Sequence, residues 1–190
     1  MPASDIMTIA QSGEAILNRQ TQTVITFDQA LVQLSDNMIA TMTAANGVGI
    51  AAPQVFSDLS IFIMHSRPNE RYPNAPETSA TVVINPQIIA CSEEMELGME
   101  GCLSIAGRRV EVLRHKTVNV QYQNIHGDVI QQQLTDFVAR IFQHEFDHLQ
   151  GITLLERIHM ANQSPSADQI VTSQGFIPND SQHFKVLADE

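Results

Sequence analysis

His144 and His148 stand four residues apart with Glu145 and two other residues between them, a His-Glu-x-x-His spacing that suits hydrolytic metal chemistry. At 3.6 residues per helical turn both imidazoles fall on one face and reach one ion. The Glu145 carboxylate then stands beside that ion as a base for the water it activates. The competing reading of such a pentapeptide is a solvated helix face, and the flanking residues argue against it. Residues 134–136 (Leu-Thr-Asp) supply a capping residue. Phe137, Val138, Ile141, Glu145, His148 and Leu149 then recur at spacings of three and four up to Gly151, a residue suited to end a helix. Phe137, Ile141, His144 and His148 share one stripe, so the histidines continue an apolar face. A glutamate beside them is costly to bury without a cation.

Catalytic sites of this type take three protein ligands and leave one position open. An extended His-Glu-x-x-His-x-x-Gly-x-x-His pattern fits at Gly151 but fails at Leu154, where its last histidine would stand. A downstream glutamate of the thermolysin type is poorly supplied, because Glu156 is too near and the next glutamate is Glu190. Cys102, within Glu100-Gly101-Cys102-Leu103-Ser104, is the best third ligand. Gly101 permits close backbone approach, and an ion would hold Cys102 as a thiolate. Cys91 reads as a small buried residue. Residues 47–54 (Gly-Val-Gly-Ile-Ala-Ala-Pro-Gln) combine two glycines, small residues and one amide. No lysine follows and a helix precedes, so the segment, Gly49 included, reads as a tight substrate-lining turn and not as a nucleotide loop.

The elements that must position these residues read as α+β. Residues 26–45 carry Phe27, Leu31, Leu34, Met38, Ile39 and Met42 at helical spacing with Asp28 early, which predicts an N-terminal amphipathic helix ending near Asn46-Gly47. Residues 59–64, 81–84, 110–112, 117–123 and 129–134 are β-rich runs, with hairpin turn chemistry at 124–128 and a long, proline-containing and mobile loop at 67–78. The expected architecture is a set of antiparallel or mixed strands packed around a central metal-binding helix. From Ala161 onward the periodicity fades, so a catalytic domain over 1–160 and a tail over 161–190 are expected.

Composition limits the partners. A net charge of -11 opposes binding through nucleic-acid phosphates, and no apolar run is long enough to span a membrane. With two cysteines and no visible secretory signal, a cytoplasmic location is the expectation.

Taken together and in order, residues 47–54, 100–104 and 144–148 resemble the peptide deformylase family, whose signatures are Gly-φ-Gly-φ-Ala-Ala-x-Gln, Glu-Gly-Cys-φ-Ser and His-Glu-x-x-His (φ, an apolar residue). All three are met without a mismatch, and the resemblance covers roughly residues 8–157. It implies Cys102, His144 and His148 as metal ligands and Glu145 as general acid/base. It also implies the Gln54 side chain and the Leu103 N–H as oxyanion donors, and Val48, Phe137 and Ile141 near a pocket for methionine. The metal so implied is ferrous iron, with zinc, nickel or cobalt as substitutes, and the substrate is the N-formylmethionyl end of nascent peptides. Some relatives dock on the ribosome through a basic C-terminal helix. The tail here holds Lys185 against Asp168, Asp180, Asp189 and Glu190, which leaves room for a transient contact at most. Ala106 departs from a usual proline, and the 67–78 loop is long for the family. Asp147 pairs with Arg114 either to brace the metal helix or as a surface ion pair. Arg109 either holds the peptide or is simply exposed. Two other readings remain: a His-Glu-x-x-His metallopeptidase, which would not need Cys102, and a non-catalytic deformylase-like binding protein, which would be expected to have lost one of the site residues.

Overall fold

Asp28 opens the first helix, α1 (Gln29–Ala44), by accepting a hydrogen bond from the Leu31 N–H at 3.0 Å. The computed structural model describes residues 4–163, with side chains through Ile158. Leu31, Ser35, Met38, Thr41 and Met42 recur at helical spacing and are buried. After α1 come β1 (Gly49–Ala51), a short 3-10 helix (Ala52–Val55), β2 (Ile61–Met64), β3 (Thr81–Cys91), β4 (Met95–Cys102), β5 (Ile105–His115), β6 (Thr117–Gln123) and β7 (Val129–Thr135). Two helices follow, α2 (Asp136–Leu149) and α3 (Leu154–Gln163).

The strands form two antiparallel sheets, one of five strands in the order β1-β2-β3-β6-β7 and one hairpin, β4-β5. Alternation along β2 shows how the larger sheet is covered. Ile61 and Ile63 face one side with Leu31, Met38 and Met42 of α1, whereas Phe62 and Met64 face the other with Phe142, Phe146 and Leu149 of α2. Phe62 and Phe142 meet edge to face at 5.1 Å. The far side of α2 meets the β4-β5 hairpin, so a helix with one expected apolar stripe is buried along nearly its whole length, from Ala139 to Leu149.

Several boundaries differ from expectation, each for a physical reason. The cap of α2 falls within the expected residues 134–136, at Thr135, but without the side-chain bond a cap would supply, and Asp136 is the first helical residue at φ +52°. The strand expected over 81–84 continues to Cys91 through register shifts after Ile84 and Ile88. Asn85 makes the first shift possible at φ +50°; its amide donates to the Val24 carbonyl and its oxygen accepts from the Val24 N–H, each at 2.8 Å. Strand β4 was not expected: Glu96, Leu97 and Met99 are exposed, and Gly98 and the buried Glu100 stand where a half-buried strand would carry apolar residues. Strand β5 is far longer than 110–112: residues 106–109 are exposed and show no apolar alternation, and Arg114 takes a buried position. The loop expected to be mobile is tied at its base, where the Thr78 N–H donates to the Ser66 carbonyl at 2.9 Å and the Ser66 N–H to the Thr78 hydroxyl at 3.1 Å. Helix α3 runs past Ala161 to Gln163, and the rest of the expected tail, 164–190, lies outside the described residues.

Candidate metal centre and active site

Two elements bring the ligating atoms together: α2 supplies His144 and His148, one turn apart, and β4 supplies Cys102 from its end. All three residues are buried, and one ligand atom from each lies within 4.8 Å of the others. Cys102 Sγ is 3.3 Å from His148 Nε2. Around an ion held tetrahedrally at about 2.3 Å from sulfur and about 2.0–2.1 Å from nitrogen, neighbouring ligand atoms stand roughly 3.3–3.6 Å apart, so the trio fits one ion with small adjustment. Burial alone would push the Cys102 thiol up, but His148 and His144 outweigh it and hold the group well below the usual thiol range.

The hairpin supplies what orients the first histidine. His144 Nδ1 stands 2.9 Å from Glu100 Oε2; a carboxylate only accepts, so Nδ1–H is the donor and Nε2 is left for an ion. Burial works against a charged imidazole here, but Cys102 and Glu100 raise the His144 pKa well above its ordinary value. Glu100 is itself clamped by Arg114, through two bonds of 2.9 Å, and by Arg140 at 2.9 Å. Burial would raise its pKa, yet Arg114 and His144 pull it far below the usual carboxylate range. Arg114 reaches on to Asp147 at 2.6 Å, and Arg157 closes on the same carboxylate from α3. The Asp147–Arg114 pair is thus a buried brace and not a surface ion pair. Its place between α2 and β5 is why it can lock the helix to the hairpin.

Glu145 sits beside the trio on α2. It is 4% exposed, and its Oε2 has no hydrogen-bond partner among the described residues. Burial raises its pKa to about 7, against the lowering influence of His144 and His148. The glycine at 49 is required by this carboxylate: a Cβ there would lie 2.2 Å from Glu145 Oε1. Gly151 ends the same helix at φ +73°, where a Cβ would meet the backbone of Asn18 and Arg19 at 2.8–2.9 Å.

Gln54 enters from the 3-10 helix. Its Oε1 accepts from the Ala51 N–H at 2.9 Å, which turns Nε2 toward Cys102 Sγ at 3.5 Å and Ser104 Oγ at 3.1 Å. A pocket opens beside this cluster; its walls include Val48, Gly49, Gln54, Leu103, Phe137, Ile141, His144 and Glu145. Each sequence-derived site residue is therefore either in this wall or in the metal trio. Sequence reasoning missed Glu100 and Arg140 as the support of His144, Ser104 as the neighbour of Gln54, and Arg71 and Tyr72 in the pocket wall. Glu100 and Ser104 had a signal, since they are the two ends of the Glu-Gly-Cys-Leu-Ser segment that carries Cys102; Arg71, Tyr72 and Arg140 had none without the fold. Arg109 is exposed, with its guanidinium carbon 5.0 Å from the Tyr72 ring centroid. Cys91 is half-buried on β3 with its thiol pushed up to about 11 by burial, consistent with an inert packing residue.

A buried cysteine sulfur and two imidazoles around a common point, with a carboxylate whose Oε2 has no partner among the described residues at the edge of an open pocket, define the class of metal-dependent hydrolases. A family model described as polypeptide deformylase matches residues 6–164. Peptide deformylase 2 of Shewanella oneidensis is 56% identical over 161 residues, covering 85% of this chain and 89% of that protein. Peptide deformylase 2 of Nostoc sp. is 48% identical over 155 residues, covering 81% and 87%. The crystal structure of the class I type b peptide deformylase of Acinetobacter baumannii with Met-Ala-Ser bound superposes with a TM-score of 0.80 at 46% identity, over 82% of this chain and 99% of that one. The chain belongs to the polypeptide deformylase family and is an enzyme that removes the N-formyl group from nascent polypeptides.

Proposed function

We propose that N-formylmethionyl peptides are hydrolysed at the pocket between β1 and α2, with Cys102, His144 and His148 holding one divalent ion, ferrous iron in the cell and zinc, nickel or cobalt as substitutes. Bound there, such an ion lowers the pKa of a water molecule toward about 7 and polarises the formyl oxygen. Glu145 takes the proton of the attacking water and later delivers it to the departing amine, a role supported by its free, buried Oε2. Gln54 Nε2, fixed in direction by the Ala51 N–H, and the Leu103 N–H donate to the oxyanion. The balance is one water consumed per formyl amide, giving formate and a free methionine N-terminus.

Val48, Gly49, Phe137 and Ile141 receive the methionine side chain, and the apolar character of most of this wall supports that reading. The Met-Ala-Ser bound to the Acinetobacter enzyme supports a peptide lying in the same groove. Residues 1–160 then form the catalytic unit, working in the cytoplasm with no more than a transient ribosome contact. The sequence over 161–190 holds Lys185 against Asp168, Asp180, Asp189 and Glu190, a balance that argues against docking through basic residues. No described helix is long and apolar enough to cross a membrane.

The observation that carries the proposal is the convergence of Cys102 with His144 and His148 beside Glu145. Protein purified without oxygen, with its metal content measured, is expected to release formate from formyl-Met-Ala-Ser. Release of free amino acids in place of formate would make the enzyme a metallopeptidase, and metal-loaded protein that releases neither would make it a binding protein.

A further inference from the structure

Segment 67–78 reaches the pocket through Tyr72, and the contacts of that one side chain are unusual for a loop residue. Its ring lies against Phe137 of α2, with centroids 4.8 Å apart and planes tilted by 52°. The Arg109 guanidinium of β5 stands over the ring at 5.0 Å from its centroid. Its hydroxyl accepts a hydrogen bond from the Gly101 N–H of β4 at 3.2 Å. Behind it, Tyr72 is held in a tight turn whose Asn69 side chain accepts from the Arg71 and Tyr72 N–H groups, each at 2.9 Å. Three elements of the domain therefore grip one ring that a loop has brought to them.

The Gly101 contact sets a distance. Gly101 is the residue before Cys102, so a ring bonded to its N–H is registered to the metal trio through a single peptide unit. The ring is registered to the pocket wall through Phe137 in the same way. Val48, Ile141 and the Tyr72–Phe137 pair line one pocket together with His144 of the trio and Glu145.

We propose that Tyr72 is a specificity-determining residue of this enzyme. Together with Phe137 it forms an aromatic end wall that the first side chain of the formyl peptide packs against. A long apolar side chain gains this contact and a short one does not, so the loop selects substrates by the reach of their first residue. The inference rests on the reading of the pocket as the site of formyl-peptide hydrolysis.

The test compares kcat/KM for formyl-Met-Ala-Ser and formyl-Ala-Ala-Ser in the metal-loaded full chain, as wild type, Tyr72→Ala and Tyr72→Phe. One methylene of apolar contact is worth roughly 10- to 200-fold in such discrimination, so loss of the ring is expected to reduce the Met/Ala ratio by about tenfold or more. The reduction is expected through the methionine substrate alone. Tyr72→Phe retains the ring, Phe137 and Arg109, and is expected to keep the ratio within about threefold. A role in folding alone would lower both substrates together and leave the ratio unchanged. An unchanged ratio in Tyr72→Ala, or a loss in Tyr72→Phe as large as in Tyr72→Ala, overturns the proposal. If Tyr72→Ala fails to fold, a tenfold change of ratio in Tyr72→Phe overturns it and a ratio kept within threefold supports it. Wild-type protein that releases no formate from formyl-Met-Ala-Ser overturns the functional reading instead.

Discussion

The two long faces of α2 meet different chemistry. Toward the five-stranded sheet the helix presents Phe142, Phe146 and Leu149 to Phe62, Val83 and Val118, a contact without direction. Toward the β4-β5 hairpin it presents Arg140, His144 and Asp147 to Glu100 and Arg114, and these side chains meet through directed, charge-assisted hydrogen bonds. Burying the apolar face supplies stability. The charged face costs desolvation and returns a fixed angle for one imidazole, so stability and geometry are divided between the two sides of a single helix. Glu145 stands at the seam.

The largest effect is expected at that seam. Glu145→Ala should lose about 100- to 10,000-fold in turnover while melting and metal content stay close to wild type. Activity near wild type would remove Glu145 from the acid/base role. Gln54→Ala, which removes one donor, should lose on the order of 100- to 1000-fold in kcat, read in the same formate-release assay.

The faces themselves separate by paired variants. Phe142→Ala should destabilise by about 3–5 kcal/mol in denaturant titration. The metal affinity of its folded fraction should be unchanged. Glu100→Ala should destabilise by a similar amount, about 3–5 kcal/mol, because it leaves Arg114 and Arg140 buried beside an empty position. It should also weaken metal binding by roughly 10- to 100-fold, measured by competition with a chelator, since His144 loses its support. If Phe142→Ala weakened the metal as much as Glu100→Ala does, the division of labour between the faces would be wrong. The smallest effect is expected at Arg157→Gln. Its side chain is partly exposed at the rim of the charged face, so the cost should be about 1 kcal/mol or less, with no change in kcat.

Much of the site was legible before the fold. The two histidines and Glu145 were found because a helix converts a spacing of four into adjacency, and Cys102 because a free thiol beside a glycine stood out after other third ligands failed. The sheet strands β2, β6 and β7 were found as β-rich runs, β6 by clean alternation of Val118, Val120 and Tyr122 and β2 by a short run of apolar residues buried on both faces. Strand β4 was invisible because Gly98 and Glu100 stand where a half-buried strand carries apolar residues, which reads as a solvated loop until Arg114 and Arg140 are placed against Glu100. Asp147–Arg114 was seen as a pair, but whether it was buried depended on the hairpin that covers it. The 67–78 loop was judged by its prolines and polar residues, and these say nothing of where Tyr72 is held.

By itself, then, the sequence determined which atoms share a helix face, which residue can be a thiolate ligand, and the family to which the three motifs belong. These follow from covalent spacing and side-chain chemistry, which are local. Only the tertiary structure decided that Cys102 stands 3.3 Å from a histidine 46 residues further along the chain. It alone decided that Glu100 locks the other imidazole, and that a loop tyrosine walls the pocket. Such distances are set by the packing of α2 between two sheets, and the local pattern of the chain carries no record of them.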